Sequence, residues 1–131
     1  MWIRKHLRSE ALPRAKAGDG CMIVRKKEEV PVHVRADHVE MTDFFGGACQ
    51  TDGKVSMGYA VFPPGTVVPP ASHTGDEYSY IISGRVKCES NGKVHEMAAG
   101  DASFIPAGEM HKSMNDSGEN ATLVWMLNEK G

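Results

Sequence analysis

The sequence predicts an all-β domain, a sandwich or barrel of short antiparallel strands. Three observations carry this reading. Apolar and polar residues alternate with strand periodicity in runs of five to eight, as in VSMGYAVF and EYSYIIS. Glycine and proline fall between these runs at regular intervals and punctuate them as turns. No stretch carries a convincing amphipathic helical repeat. The 131 residues fit one domain on length, with residues 1–50 as an N-terminal arm plus first strands and 51–131 as the barrel core.

Taken in order, Ser9 to Lys16 has room for one helical turn, which Pro13 limits. CMIVRK and VPVHVRA read as the early strands. Val55 to Phe62 is a strand closed by Pro63, Pro64 and Gly65. VVPPASH follows, then EYSYIIS. RVKCES and KVHEM flank Asn91-Gly92, the strongest short hairpin signal because both residues tolerate positive φ. ASFIP and Ala121 to Leu127 complete the set.

Charge is nearly balanced, 15 Lys and Arg against 17 Asp and Glu, which argues against nucleic-acid or anionic-membrane partners. The basic runs RKHLR and VRKK read as a solvated face. Three cysteines, Cys21, Cys49 and Cys88, show no CxxC pair, so neither a disulfide framework nor a structural zinc site is expected and a cytoplasmic setting is. MWIRKHLRSE lacks the apolar run of a signal peptide, and no apolar stretch approaches the ~18 residues of a membrane span.

Chemistry concentrates in two stretches. In HTGDEYSYIISG, His73 precedes Glu77 by four residues, across Gly75, which lets the chain bend so that both side chains point inward. Alternation puts Glu77, Ser79 and Ile81 on one face and Tyr78, Tyr80 and Ile82 on the other. In GDASFIPAGEMHKSMN a strand ends at Pro106 and His111 opens the next. If the hairpin at Asn91-Gly92 brings the strands together, His111 approaches His73 and Glu77. Two imidazoles and a carboxylate form an open three-ligand set suited to Fe(II), Mn(II), Ni(II) or Zn(II).

These stretches resemble the paired motifs of the cupin superfamily. Gly65, His73, Glu77 and Gly84 align with the first motif, G-x5-H-x-H-x3,4-E-x6-G. Gly100, Pro106, Gly108, His111 and Asn115 match the second, G-x5-P-x-G-x2-H-x3-N, in full. The first motif departs at Ala71, where the family has a metal histidine. The resemblance, over about Val55 to Leu127, implies an antiparallel jelly-roll barrel and a divalent metal held by His73, Glu77 and His111. His33, His38 and Asp76 are candidates for a missing fourth ligand, and nothing in the spacing selects one. Asn115 is expected to be a hydrogen-bonding turn residue, and Tyr59 is the candidate general acid or base if its strand faces inward. The function implied is metal-dependent chemistry on a small molecule, whether dioxygenase, isomerase or lyase. The competing expectation is a non-catalytic small-molecule binder or sensor with weakened or lost metal binding. A homodimer is expected in either case.

Overall fold

The computed structural model describes residues 22–46 and 54–129, which form nine antiparallel strands and one short 3-10 turn, Lys27–Glu29. In order the strands are β1 (Val32–Val34), β2 (Glu40–Phe45), β3 (Val55–Phe62), β4 (Gly75–Ser83), β5 (Arg85–Ser90), β6 (Lys93–Ala98), β7 (Ala102–Ile105), β8 (His111–Met114) and β9 (Ala121–Glu129). They make two sheets, one of six strands in the order β1-β2-β3-β9-β4-β7 and one of three in the order β6-β5-β8. This is the all-β antiparallel arrangement that the periodicity predicts.

Each strand is built on alternation. In β3, Gly58, Ala60 and Phe62 are buried while the residues between them keep partial exposure. In β4, Ile81 is fully buried, whereas Tyr78, Tyr80 and Ile82 are 43 %, 52 % and 46 % exposed, so Glu77, Ser79 and Ile81 face inward as the parity requires. Between the sheets, Val39, Ala60, Phe62, Ile81, Val86 and Leu123 form the core cluster. Trp125 packs against it, and its ring lies so close over Gly58 that a Cβ there would sit 2.5 Å from the indole.

The turns are set by local chemistry. Asn91 and Gly92 have φ of 53° and 74°, and Ser90 pairs with Lys93, which is the tight β5–β6 hairpin that the dipeptide predicts. Asn115 is 1 % exposed. Its Nδ2 donates to the carbonyls of Phe62 and Glu119, each at 2.8 Å, and its Oδ1 accepts from the Ser117 backbone N–H and hydroxyl. It therefore ties the end of β3 to the loop before β9, the structural role expected of it.

Three sequence expectations are corrected near the N-terminus. Met22 to Lys26, the described part of CMIVRK, is not a strand. Met22 and Val24 are 87 % and 66 % exposed. The segment is held instead by its cations, the Arg25 guanidinium 5.2 Å over the Phe45 ring and, just beyond it, the Lys27 ammonium 4.6 Å over Tyr59. VPVHVRA yields only the three residues of β1. Conversely, EMTDFF forms β2, which pairs on both sides although Glu40 and Asp43 interrupt its apolar pattern. The turn expected at Ser9 to Lys16, and two of the three cysteines, Cys21 and Cys49, lie outside the described residues. Among those described, no helix is long and apolar enough to cross a membrane.

Candidate metal centre

The site spans the mouth between the two sheets. Glu77 comes from β4 in the larger sheet, and His111 opens β8 in the smaller one, where β8 pairs with β5 so that His111 sits opposite Ser90. His73 lies in the segment leading into β4. Its carbonyl accepts a 2.8 Å hydrogen bond from Gly108 N–H. Asp76, on the other face of β4, accepts from Ala107 N–H at 2.9 Å. Together these two bonds clamp the Pro106–Gly108 turn against the start of β4. Gly75 is needed for a close approach: a Cβ there would lie 2.5 Å from the Asn128 carbonyl oxygen.

The structure brings His73, Glu77 and His111 together, with one potential ligand atom of each lying within 4.8 Å of the others. His73 Nε2 is 3.0 Å and His111 Nε2 3.7 Å from Glu77 Oε1. The two imidazole centroids are 5.2 Å apart and tilted by 51°. His111 is buried, and its Nδ1 lies 3.1 Å from the Glu109 carbonyl. A carbonyl only accepts, so Nδ1 carries a proton, and in that tautomer Nε2 can present a lone pair to the site.

Whether these residues suit a cation is tested by Glu77. Its Oε1 is buried and makes no aligned hydrogen bond among the described residues, although His73 Nε2 is only 3.0 Å away. Distance alone would make an ion pair of that contact; the missing alignment argues against a neutral hydrogen bond. A buried carboxylate oxygen facing two imidazole nitrogens is costly unless a positive charge lies among them. Nitrogen and carboxylate donors with open positions fit a divalent first-row ion.

Behind this mouth lies a cavity of about 220 Å³, lined by His73 and Glu77 at the rim and by apolar residues such as Ile81, Leu123 and Trp125 within. Cys88 also lines it and is free. Burial pushes the Cys88 thiol up, only partly offset by a hydrogen bond from Ser113, so it stays a neutral, unreactive thiol near neutral pH.

Ala71 is directly opposite His111. The pair exchanges both backbone hydrogen bonds, each 2.9 Å, so the Ala71 methyl lies on the same side as the imidazole and adds no donor. None of the three candidates for a fourth ligand joins the group that could hold an ion. Asp76 faces away and bonds Ala107. His33 sits in β1, near enough to Asp43 to influence its charge. His38 adopts φ 75° in the β1–β2 turn. Tyr59 does not meet the condition set for it. It pairs with Thr42 and Val124 between the inward positions Gly58 and Ala60, so it faces outward under Lys27 and does not line the cavity. Sequence parity along β3 does not show this, because Val55, Met57 and Val61 on the face of Tyr59 are as apolar as Ala60 and Phe62 on the inward face. Ser79, Ser103 and Ser113 also line the cavity; sequence reasoning gave none of them a role, since serines in strands carry no motif.

The family model of the cupin domain matches residues 58–127, and the chain belongs to that family. No curated protein sequence matches. Among solved structures, the polyketide cyclase RemF from Streptomyces resistomycificus is similar, with a TM-score of 0.73, 17 % identity, and coverage of 84 % of this chain and 81 % of that one. A "predicted oxalate decarboxylase" from Thermotoga maritima has a TM-score of 0.72 and 25 % identity over 83 % of this chain and 100 % of its own. The Schizosaccharomyces pombe Cnp3 cupin domain has a TM-score of 0.63 and 15 % identity, and the match covers 70 % of this chain and 65 % of that one. These likenesses establish a jelly-roll type barrel.

Proposed function

We propose that this cupin is a metal-dependent enzyme acting on a small oxygen-bearing molecule, with His73, Glu77 and His111 holding one divalent ion. The observation that carries the proposal is the buried Glu77 Oε1, without an aligned hydrogen bond and flanked by two imidazole nitrogens at 3.0 and 3.7 Å at the mouth of an apolar cavity. Iron, manganese, nickel or zinc would satisfy the donor set. When bound, the ion supplies Lewis acidity, or redox chemistry if it is iron. The protein's part is to fix His111 through Glu109, to hold His73 through Gly108, and to keep water from the apolar interior. Tyr59 has no role in this proposal. The likeness to a "predicted oxalate decarboxylase" supports a small carboxylate substrate and lyase-type chemistry.

The second reading, a non-catalytic binder or sensor, is favoured by one observation: the methyl of Ala71 stands where a further ligand would fit. A homodimer is part of the proposal. Tyr78 and Phe104 meet with ring centroids 5.1 Å apart and planes tilted by 48° on the outer face of the larger sheet, where Tyr80, Ile82 and Met126 are also exposed. A reduced, cytoplasmic setting is proposed from the free Cys88 thiol. Isothermal titration of chelator-treated protein with each ion, followed by an assay for carboxylate turnover, separates the readings. Ion binding with turnover supports the enzyme, and ligand binding without ion or turnover supports the binder.

A further inference from the structure

The residue rows of the larger sheet cross the cavity wall in register. The rim row contains Ile105, Glu77 and Leu127. One row deeper on the same face come Ser103, Ser79 and Trp125. All six line the cavity. Two residues along a strand advance about 6.6 Å, so the Ser79 and Ser103 hydroxyls lie roughly that far beyond the candidate metal ligand Glu77.

These hydroxyls stand out chemically. Among the described residues, neither Ser79 nor Ser103 makes a side-chain hydrogen bond, whereas Ser113, which also lines the cavity, donates to Cys88 Sγ. The wall around them is apolar, including Ile81, Ile105 and Trp125. Few polar groups on an otherwise apolar wall are what fixes a ligand's orientation. Register pairing holds the two hydroxyls side by side on neighbouring strands, a geometry that suits one shared oxygen atom. Each hydroxyl both donates and accepts, so the pair can serve a hydroxyl or a carbonyl.

The charge on that ligand atom is also constrained. Arg35 is the one Lys or Arg among the described residues lining the cavity, and its guanidinium is already paired with Asp37. A second anionic group would meet no free cation there. The interior therefore favours a neutral oxygen, and the ligand's negative charge belongs at the rim beside the ion.

We propose that Ser79 and Ser103 form a substrate-recognition subsite for a neutral hydroxyl or carbonyl oxygen, selecting small oxygenated acids whose carboxylate end engages the ion. This rests on the metal reading of the rim. The ligand class is a monocarboxylate with a further oxygen several atoms from its chelating end.

The test compares 2-hydroxybutanoate with 2,4-dihydroxybutanoate, which share a chelating head and differ by one distal hydroxyl. Nickel uptake is measured first by calorimetry on the wild type and on the Ser79→Ala Ser103→Ala variant, with thermal melts to confirm folding. Each acid is then titrated into the nickel-loaded proteins and followed by tryptophan fluorescence, since Trp125 lines the same cavity. The expected result is a roughly tenfold preference of the wild type for the dihydroxy acid, the size of one hydrogen bond to a buried partner, falling below about twofold in the variant. If nickel is taken up but the wild type shows no preference, or the preference survives in the variant, the subsite proposal is overturned alone. If the wild type takes up neither nickel nor, tried in turn, iron, manganese or zinc, the metal reading fails and this inference fails with it.

Discussion

Restoring a histidine at position 71 should strengthen the metal centre. Ala71 and His111 exchange both backbone hydrogen bonds at 2.9 Å, so their side chains share a face, with Cα atoms about 5.5 Å apart in such a pair. An imidazole at 71 would stand beside that of His111 and turn three donors into four. Four-ligand zinc sites are worth about 10–16 kcal/mol, or roughly 3 kcal/mol per ligand. Ordering an exposed side chain gives back about 1 kcal/mol. The remaining gain of about 2 kcal/mol corresponds to roughly 30-fold tighter binding. Calorimetric titration of wild type and Ala71→His with zinc in chelator-free buffer measures it, and Ala71→Phe controls for bulk. A folded Ala71→His protein that binds zinc no more tightly than the wild type would refute the argument that position 71 faces the ion.

Three further outcomes are expected. His111→Ala should remain folded by circular dichroism yet lose ion-induced stabilisation. At a hundredfold excess of ion over Kd the wild type gains about 2.7 kcal/mol, near 10 °C of Tm for a chain of this length, and an equal rise in the variant would contradict the ligand assignment. Asp43 has its pKa raised above 3.8, chiefly by burial and with partial relief from the charge of His33, and its Oδ1 is buried without a partner among the described residues. The folded state therefore holds this proton more tightly than the unfolded one, and stability falls as pH rises from near 4 through the raised value, then levels off. In Asp43→Asn that fall should be missing from urea unfolding curves recorded across the range. Asn115→Ala removes four hydrogen bonds from a buried position and should destabilise by about 3 kcal/mol; a loss below about 1 kcal/mol in urea would show that the turn holds without it.

The sequence was most legible where local rules act alone. The Asn91-Gly92 hairpin follows from backbone conformation, and the inward face of β4 follows from strict alternation of side chains. The clustering of the three candidate ligands was legible because they sit at the motif spacings of the cupin resemblance, fixed relative to turn glycines and a proline. The early chain was less so. Met22 to Lys26 reads as a strand from its apolar Met, Ile and Val, but Arg25 and the adjoining Lys27 find aromatic faces to lie on, and those faces belong to residues distant in sequence. β2 was hidden by Glu40 and Asp43, which break its apolar pattern: Glu40 is exposed, whereas Asp43 carries a buried carboxylate oxygen. The facing of Tyr59 is open in the sequence, because a single strand does not reveal which face is inward until its apolar positions are matched with the core. The pairing of Ser79 with Ser103 depends on the register between β4 and β7, which no local pattern encodes.

The proposed function stands or falls with a divalent ion among His73, Glu77 and His111. Plasma mass spectrometry of untagged protein purified without chelator tests it most directly, run beside His111→Ala prepared identically. Close to one iron, manganese, nickel or zinc per chain is expected in the wild type and none in the variant. A wild type that carries no metal, even after each ion is added back, or a variant that keeps the full amount, would contradict it.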